Sequence, residues 1–201
     1  MAKVHPETIL PIGTSSDKNP IVLTVWKKSL LFGCYGFTVY DSTGNLKFRV
    51  DNYSTSGSRE IVLMDAFGRT LHTIRRKMLS MVDNFLVYNG EDAVDPRFTV
   101  TKHVNVLNSK SLAYVSTSKN WKKRNVRYEI EGSYAHKSCM VYDYTRRQCV
   151  ADIRRKEAKG GVALGEDVFA LVVQPSTDPA MAMTLVIALD QMFDHSRHSF
   201  R

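Results

Sequence analysis

The side chains of this sequence that could do chemistry are above all cations, and they are unevenly placed. Residues 101–159 hold 14 Lys and Arg against 5 Asp and Glu, so the chain's formal net charge of +8 arises entirely in this stretch. Long basic side chains at turns and strand ends can converge on one anionic group, and guanidinium groups match phosphate oxygens. We therefore predict a surface that binds an anionic head group. Its candidate residues are Lys119, Lys122, Lys123, Arg124, Arg127, Arg146, Arg147, Arg154, Arg155 and Lys156.

Other interpretations of the same cations stay open. Near an anionic leaflet each basic residue contributes on the order of 1 kcal/mol, which suffices for reversible peripheral attachment. Basic residues on strand edges also keep a sheet soluble and prevent edge pairing. Nucleic acid is a competing anion, because aromatic residues that could stack on bases are interleaved with the cations. These aromatic residues are Trp121, Tyr128, Tyr134, Tyr142 and Tyr144.

Enzymatic chemistry finds little support in the sequence. The nucleophile elbow, the P-loop and the zinc-protease helix motif are all missing. Cys34 could act as a nucleophile with a distant histidine, but a buried free thiol is far more common. His195 and His198 are three residues apart, which is a weak metal-binding signal on its own. We therefore predict no catalysis, no cofactor and no metal site.

The cysteines and the N-terminal residues favour a reducing compartment. Cys34, Cys139 and Cys149 include no C-x-x-C pair and are odd in number. Residues 1–13 lack the basic start and apolar run of a signal peptide, and no run of 18 apolar residues occurs. We expect a cytoplasmic protein, with the plasma-membrane surface or the nucleus as further locations.

Most of the chain has the pattern of short β-strands. Apolar and polar residues alternate in Leu46–Asp51 and Val126–Glu131, whereas Asp167–Val173 is apolar on both faces. About a dozen such segments, at a spacing of roughly 8–12 residues, favour a sandwich or a barrel.

A strand, a D-x-x-G turn and a return strand recur along the chain. The motif starts at Asp41 and at Asp65, and a third copy that is one residue longer starts at Asp143. An aspartate can accept hydrogen bonds from the turn backbone, so we interpret these three residues as structural.

The C-terminal region predicts a buried helix. Asp178 and Pro179 have the types of an N-cap and a first helical residue, and residues 180–189 are apolar apart from Thr184. Thr184 can donate to the carbonyl of Ala180. A helix that is apolar on every side must be buried on every side, yet about ten residues are too few to cross a bilayer. A closed barrel around the helix is therefore favoured over a sandwich with the helix at one end.

Several further segments form a specific set that covers nearly the whole chain from Pro20 to Phe193. The segments are Trp26–Leu30, Phe32–Gly33, Gly36–Asp41, Phe48–Tyr53, Leu63–Ala66, Thr73–Lys77 and Asp178–Met183. Together they resemble the plant LURP-one-related proteins, a family with a tubby C-terminal-like fold. The resemblance implies a mainly β fold with about twelve strands closed around a central hydrophobic helix, as in tubby-like proteins and phospholipid scramblases.

The resemblance also implies a class of function. Tubby-like proteins are membrane-tethered transcription regulators that hold a phosphoinositide head group on a basic surface, and LURP-one-related proteins are associated with plant defence. A cysteine-rich acylation segment and a calcium loop, as in scramblases, are missing from the sequence. Lipid scrambling is therefore not predicted. Because no tubby lipid-binding motif can be matched to this sequence residue by residue, only the type of surface is carried over.

We accordingly predict a flexible segment over residues 1–19 and one tubby C-terminal-like domain over 20–201, with the central helix at about 178–194. The expected protein is a non-enzymatic intracellular monomer without a transmembrane helix. It binds a phosphoinositide-containing membrane surface through its basic residues. The alternative is a scaffold that binds a protein or nucleic-acid partner through the same face.

Overall fold

A computed structural model of the chain describes residues 19–28, 35–52, 60–91, 94–104, 110–117, 125–157, 165 and 167–193. Within them the chain forms twelve strands followed by one helix, α1 (Pro179–Phe193). The strands are β1 (Ile21–Trp26), β2 (Tyr35–Tyr40), β3 (Leu46–Asn52), β4 (Glu60–Asp65), β5 (Thr70–Arg76), β6 (Asn84–Asn89), β7 (Phe98–Lys102), β8 (Ser111–Ser116), β9 (Val126–Ser133), β10 (Ser138–Asp143), β11 (Cys149–Arg155) and β12 (Val168–Val173).

The twelve strands form one closed antiparallel barrel. Each strand pairs with its sequence neighbours, and β1 pairs with β12 over six residues, from Ile21 opposite Val173 to Trp26 opposite Val168. Closure leaves no open edge in the sheet. The predicted barrel is confirmed, and the sandwich with a helix at one end is wrong.

The helix fills the barrel. Ten consecutive helix residues, Met181 to Asp190, are buried, and Leu185 and Ile187 are at most 1% exposed. Alternate residues of the strands point inward to meet them, as Val50 and Phe169 do. The Asp178 carboxylate accepts from the amide of Ala180 at 2.9 Å, and the Thr184 hydroxyl donates to the Ala180 carbonyl at 2.9 Å, as expected.

The repeated turns have the structural role that was predicted for their aspartates. Asp41 Oδ1 accepts from the backbone amides of Thr43 and Asn45, each at 2.9 Å, and hydrogen bonding, led by the Thr43 hydroxyl, lowers the pKa of this carboxyl to about 2. Asp65 and Asp143 accept from their own turns in the same way.

A chain of hydrogen bonds fixes the first half of the helix to the barrel wall. The Thr184 hydroxyl donates its one proton to the carbonyl of Ala180, so its oxygen can only accept from His72 Nδ1, which lies 2.8 Å away. His72 Nε2 is then the acceptor for Arg97, whose Nη1 lies 3.2 Å away. This arrangement requires a neutral imidazole. Burial, reinforced by the positive charge of Arg97, lowers the pKa of His72 below its ordinary value of 6.5.

Cations of the wall hold the other end of the helix. Asp190 is fully buried, with Lys27 Nζ at 3.1 Å and the Tyr134 hydroxyl at 3.1 Å from its Oδ1. Lys102 Nζ donates to the carbonyl of Met192 at 3.1 Å, where the negative end of the helix dipole favours a cation.

Strand direction defines two ends of the barrel. Odd-numbered strands run away from the end where α1 begins, and even-numbered strands run back towards it, because all neighbours are antiparallel and β12 leads directly into α1. We call these ends the helix-start end and the helix-stop end.

Replacing Leu185 by Asp should prevent folding. Truncating such a buried leucine costs about 2–5 kcal/mol by itself, and an unpaired carboxylate in the core adds a further penalty to a total stability of only about 5–15 kcal/mol. The control is Val22→Asp, because Val22 on β1 is 47% exposed. Circular dichroism melting should show a cooperative transition for the control and none for Leu185→Asp; a transition at the wild-type temperature in both would contradict the buried helix.

Stability should fall as the pH drops below 6.5, in part because of His72. The unfolded chain binds a proton at this histidine at a higher pH than the folded chain does, so protons favour unfolding between the two pKa values. In urea unfolding at neutral and mildly acidic pH, His72→Gln should lose less free energy of unfolding on acidification than the wild type. An equal loss in both proteins would show that His72 is not the group responsible.

Candidate anionic-ligand site

The barrel divides the predicted cations between its two ends. Arg127 is the second residue of β9, and Arg146 and Arg147 lie in the β10–β11 turn, all at the helix-start end. Arg154 and Arg155 end β11 at the helix-stop end, and Lys156 follows them. The seven residues of β11 span roughly 20 Å at about 3.3 Å per residue, so one small ligand cannot touch both groups. Lys119, Lys122, Lys123 and Arg124 lie outside the described residues.

At the helix-start end, two of the predicted residues share a solvent-open groove of about 370 Å³. The groove lies where the connection from β8 to β9 meets the β10–β11 turn, and its lining is mainly polar. The lining residues are Thr117, Asn125, Val126, Arg127, Asp143, Thr145 and Arg146.

The β10–β11 turn positions one wall of this groove. Asp143 Oδ1 accepts from the amides of Thr145 at 3.0 Å and Arg146 at 2.8 Å, which closes the turn and presents the Arg146 side chain outward. The amide of Tyr144 donates to the Arg127 carbonyl at 2.8 Å and ties this turn to β9. The carboxylate that lines the groove therefore already serves two backbone donors.

Two guanidinium groups of the groove remain available for an anion. Arg127 Nε donates to the Tyr128 hydroxyl at 3.1 Å, and this hydrogen bond is the main cause of a raised pKa for Arg127. Arg146 is exposed and has no ion pair within the described residues. Neither guanidinium forms an ion pair with a carboxylate of the described residues, although Asp143 lines the same groove and its charge contributes to the raised pKa of Arg127.

Arg147, another of the predicted cations, forms ion pairs with carboxylates on the outer face of the barrel. Arg147 donates to Glu129 at 2.6 Å and Glu131 at 2.7 Å, and its guanidinium lies over the Tyr142 ring. Hydrogen bonding to Glu131 is the main cause of the raised pKa of Arg147. Arg147 also adopts a left-handed φ of +55°, where the first two repeats have glycine, so these partners hold a backbone conformation that an arginine rarely adopts.

The cations of β11 at the helix-stop end have different partners. Arg154 donates two hydrogen bonds to the carboxylate of Asp152, from Nε at 2.8 Å and from Nη2 at 2.5 Å. Arg155 Nε donates to the carbonyl of His136 at 3.2 Å, and Lys156 donates to the hydroxyl of Thr24. Arg155 and Lys156 therefore keep an uncompensated charge among the described residues, but far from the groove.

The two ends of the β8–β9 connection meet at the groove. Thr117 and Asn125 both line it, and the amide of Thr117 donates to the carbonyl of Asn125 at 3.3 Å. In the sequence, Lys119, Lys122, Lys123 and Arg124 lie between these two residues.

The sequence analysis did not identify the uncharged polar residues of the groove, nor the carboxylates that form ion pairs with Arg147 and Arg154. Thr117, Asn125 and Thr145 bring hydroxyl and amide groups to the groove, but nothing in a local pattern distinguishes them from other polar loop residues. The pairing of Arg154 with Asp152 could have been found, because residues two apart on a strand share a face. The pairing of Arg147 with Glu129 and Glu131 depends on the register of β9 with β10.

Among the described residues, nucleophilic and metal-binding candidates do not gather at this site. Burial raises the pKa of Cys139 to about 11, and burial also raises the pKa of Cys149, which makes both thiols poor nucleophiles near neutral pH. In the described part of the chain, no group of three or more His, Cys, Asp or Glu side chains is arranged to hold a metal ion. Cys34, His195 and His198 lie outside the described residues.

Within the described part of the chain, no helix has the length and the apolar character that are needed to cross a bilayer.

Comparisons with known proteins agree with this fold. The sequence profile of the family described as LURP-one-related matches residues 21–190. Protein LURP-one-related 8 of Arabidopsis thaliana is 50% identical over 201 residues, covering 98% of this chain and all of that protein. Protein LURP-one-related 17 of Arabidopsis thaliana is 43% identical and covers 85% of this chain and 82% of that protein.

A solved structure has the same architecture. An X-ray structure of a protein from Arabidopsis thaliana aligns with a TM-score of 0.65 at 25% identity, covering 87% of this chain and 91% of that one.

Adjacent arginines of the β10–β11 turn should respond differently to neutralisation. Arg147→Gln removes the bonds to Glu129 and Glu131 and leaves a strained backbone without its anchor, so we expect the melting temperature to fall by a few degrees. Arg146→Gln removes one charge at an exposed position and should melt as the wild type does. Equal melting temperatures for the two variants would contradict the assignment of Arg147 as the structural member of the pair.

Proposed function

The chain belongs to the LURP-one-related family, and on that premise we propose that it is a non-enzymatic intracellular protein that binds phosphorylated anionic head groups in the groove at its helix-start end. Phosphoinositides at the cytoplasmic face of a membrane are the ligands that this chemistry fits best. Binding there would tether the protein reversibly at the plasma membrane.

The observation that carries this proposal is the availability of Arg127 and Arg146. Both line the same groove, and neither forms an ion pair with a described carboxylate, whereas Arg147 next to them is paired with Glu129 and Glu131. The groove holds one acid, Asp143, against these two cations. Guanidinium groups bind phosphate oxygens through paired, charge-assisted hydrogen bonds. Two such groups facing one opening favour a ligand with more than one negative charge.

The neutral groups of the groove suit an inositol ring that carries phosphates. Hydroxyls of Thr117 and Thr145 and the amide of Asn125 can exchange hydrogen bonds with ring hydroxyls or phosphate oxygens. Asp143 can accept a hydrogen bond from a ring hydroxyl but repels phosphate, which would orient the ligand with its phosphates towards the arginines. The groove volume of about 370 Å³ is within the range of small-ligand sites.

The family suggests the biological setting of this binding. Its members are associated with plant defence, and the tubby-like fold is shared with membrane-tethered regulators of transcription. A tether whose strength depends on several surface cations is weakened by salt and by loss of the lipid phosphate, so it can be released. We propose that this protein acts as a monomer in such a setting, at the plasma membrane and after release in the cytoplasm or nucleus.

A nucleic-acid ligand at the same face is the second candidate, and one observation favours it. Tyr144 is 48% exposed in the turn beside the groove, where its ring could stack on a base. The other described aromatics of the region are less available. Tyr134 is buried and bonded to Asp190, and the rings of Tyr128 and Tyr142 lie under Arg127 and Arg147.

Co-sedimentation with vesicles at near-physiological salt tests the proposal. Neutral vesicles, phosphatidylserine vesicles and vesicles with each phosphoinositide are compared for the wild type and for Arg127→Gln/Arg146→Gln. We expect selective phosphoinositide binding that weakens roughly tenfold or more in the variant, because each cation contributes on the order of 1 kcal/mol. Lys122→Ala/Lys123→Ala/Arg124→Ala should weaken the same binding.

The matched control removes two charges at the other end of the barrel, in Arg155→Gln/Lys156→Gln. It should keep the phosphoinositide selectivity. An equal loss in both double variants would mean that total charge, and not the groove, determines binding. Calorimetry with a soluble inositol polyphosphate separates recognition of the head group from adsorption to a membrane, and single-stranded nucleic acid serves as the competing ligand.

A further inference from the structure

The loop between β5 and β6 displays large apolar side chains in water. This apolar loop, residues 77–83, lies at the helix-stop end. Leu79 and Met81 are as exposed as in a free peptide, at 105% each, and Met78 is 60% exposed. A soluble domain rarely exposes three such side chains within four residues, and contiguous apolar patches of this kind mark interaction sites.

The backbone of the loop is held in an unfavourable conformation that keeps this display. Leu79 has a φ of +56°, in the left-handed region that non-glycine residues seldom enter. A strained backbone conformation is unusual at a residue whose side chain is exposed to water, and residues with such conformations cluster at functional sites such as ligand contacts.

The base of the loop is firmly built. The amide of Lys77 donates to the carbonyl of Asn84 at 2.8 Å, and Arg76 forms an ion pair with Asp83. On the other side, the amide of Lys102 donates to the carbonyl of Asp83 at 2.9 Å. The apolar tip thus projects from a closed and hydrogen-bonded stem, which limits the entropy lost when it meets a partner.

Basic side chains lie at the base of the apolar loop. Arg76, Lys77 and Lys102 lie at its base with Asp83 as the acid between them, and Lys102 Nζ is 3.6 Å from that carboxylate. Lys77 has no ion pair within the described residues. The base therefore keeps positive charge beneath the apolar side chains, which complements an anionic surface.

The apolar surface continues from the loop onto the end of the barrel. A shallow groove of about 310 Å³ beside the loop is lined by Val82, Val104, Leu112 and Phe193 together with polar residues. Val104 is itself 57% exposed. Loop and barrel end form one apolar face with a basic border.

We propose that the apolar loop inserts its Leu79 and Met81 side chains into an anionic lipid bilayer. A protruding tip of flexible leucine and methionine side chains suits a fluid bilayer, which needs no shaped cavity to receive it, whereas a protein partner would have to provide one. The basic border then meets the phosphate and serine groups of the lipid surface. Insertion removes two large apolar side chains from water.

This contact goes beyond the head-group groove and does not depend on it. The apolar loop and the groove lie at opposite ends of strands that span roughly 20 Å, so they cannot both contact the same patch of a flat bilayer. The loop recognises an apolar interior under a negative surface, and the groove recognises a phosphorylated ring.

Binding to vesicles of phosphatidylcholine and phosphatidylserine, without any phosphoinositide, tests the loop separately from the groove. We expect Leu79→Ser/Met81→Ser to lower the partition coefficient at least about tenfold. The matched control, Phe67→Ser/Val94→Ser, removes two apolar side chains that are 88% and 85% exposed at the helix-start end and should bind as the wild type does. Equal binding by the wild type and the loop variant would overturn the proposal.

Tryptophan fluorescence provides a second measurement of insertion. Leu79→Trp keeps the tip apolar, and on these vesicles its emission should shift to the blue and be quenched by lipids with brominated acyl chains. Phe67→Trp at the other end should show neither effect beyond the background of the native tryptophans. An emission of Leu79→Trp that is unchanged by vesicles would overturn insertion and leave a protein partner as the occupant of the apolar face.

The two proposals fail in different ways. Loss of phosphoinositide selectivity with retained insertion would contradict the groove alone, and retained selectivity without insertion would contradict the loop alone. Thermal melting of all exposed-site variants confirms that the changes in binding are not caused by unfolding.

Discussion

The structure depends on one constraint, which is that a helix apolar around its whole circumference has to be enclosed. A two-layer packing would leave one side of Ala180–Leu189 in water, at a cost of about 25 cal/mol for each Å² of apolar surface. Twelve antiparallel strands remove this cost by closing around the helix. Closure also removes the unpaired edges that an open sheet of this size would expose. The few polar groups inside, such as Thr184 and Asp190, are held by wall residues that reach inward.

Because the interior is full, ligand chemistry is confined to the outer face and to the two ends. On the outer face, acids of the strands pair with two of the arginines. Arg147 of the β10–β11 turn pairs with Glu129 and Glu131 of β9, and Arg154 pairs with Asp152 on the same strand. At the ends the sheet no longer imposes partners. Arg127 and Arg146 at one end, and Arg155 and Lys156 at the other, therefore retain charge that an external anion can use. The same reasoning applies to the apolar loop, whose side chains lie beyond the last ladder hydrogen bond.

The proposed anion groove and the proposed bilayer-binding loop lie at opposite ends of the barrel. The barrel between them is rigid, because its strands are hydrogen bonded on both sides and its core is packed around a helix. Ligands at the two ends would be held at a nearly constant separation of roughly 20 Å, set by strand length.

The sequence by itself determined the features that depend on local pattern. Alternation over four to eight residues located the strands, the all-apolar run after Pro179 identified a buried helix, and the aspartates of the repeated turns had readable roles. The charge excess within 101–159 was also visible, and so was the family. Only the tertiary structure decided which of those cations are free. The ion pairs of Arg147 reach residues 16 and 18 positions away, and the separation of Arg127 from Arg155 follows from the direction of the strands that carry them. Register and closure are set by the summed packing of all twelve strands around one helix, a property of the whole chain that no short stretch of sequence contains.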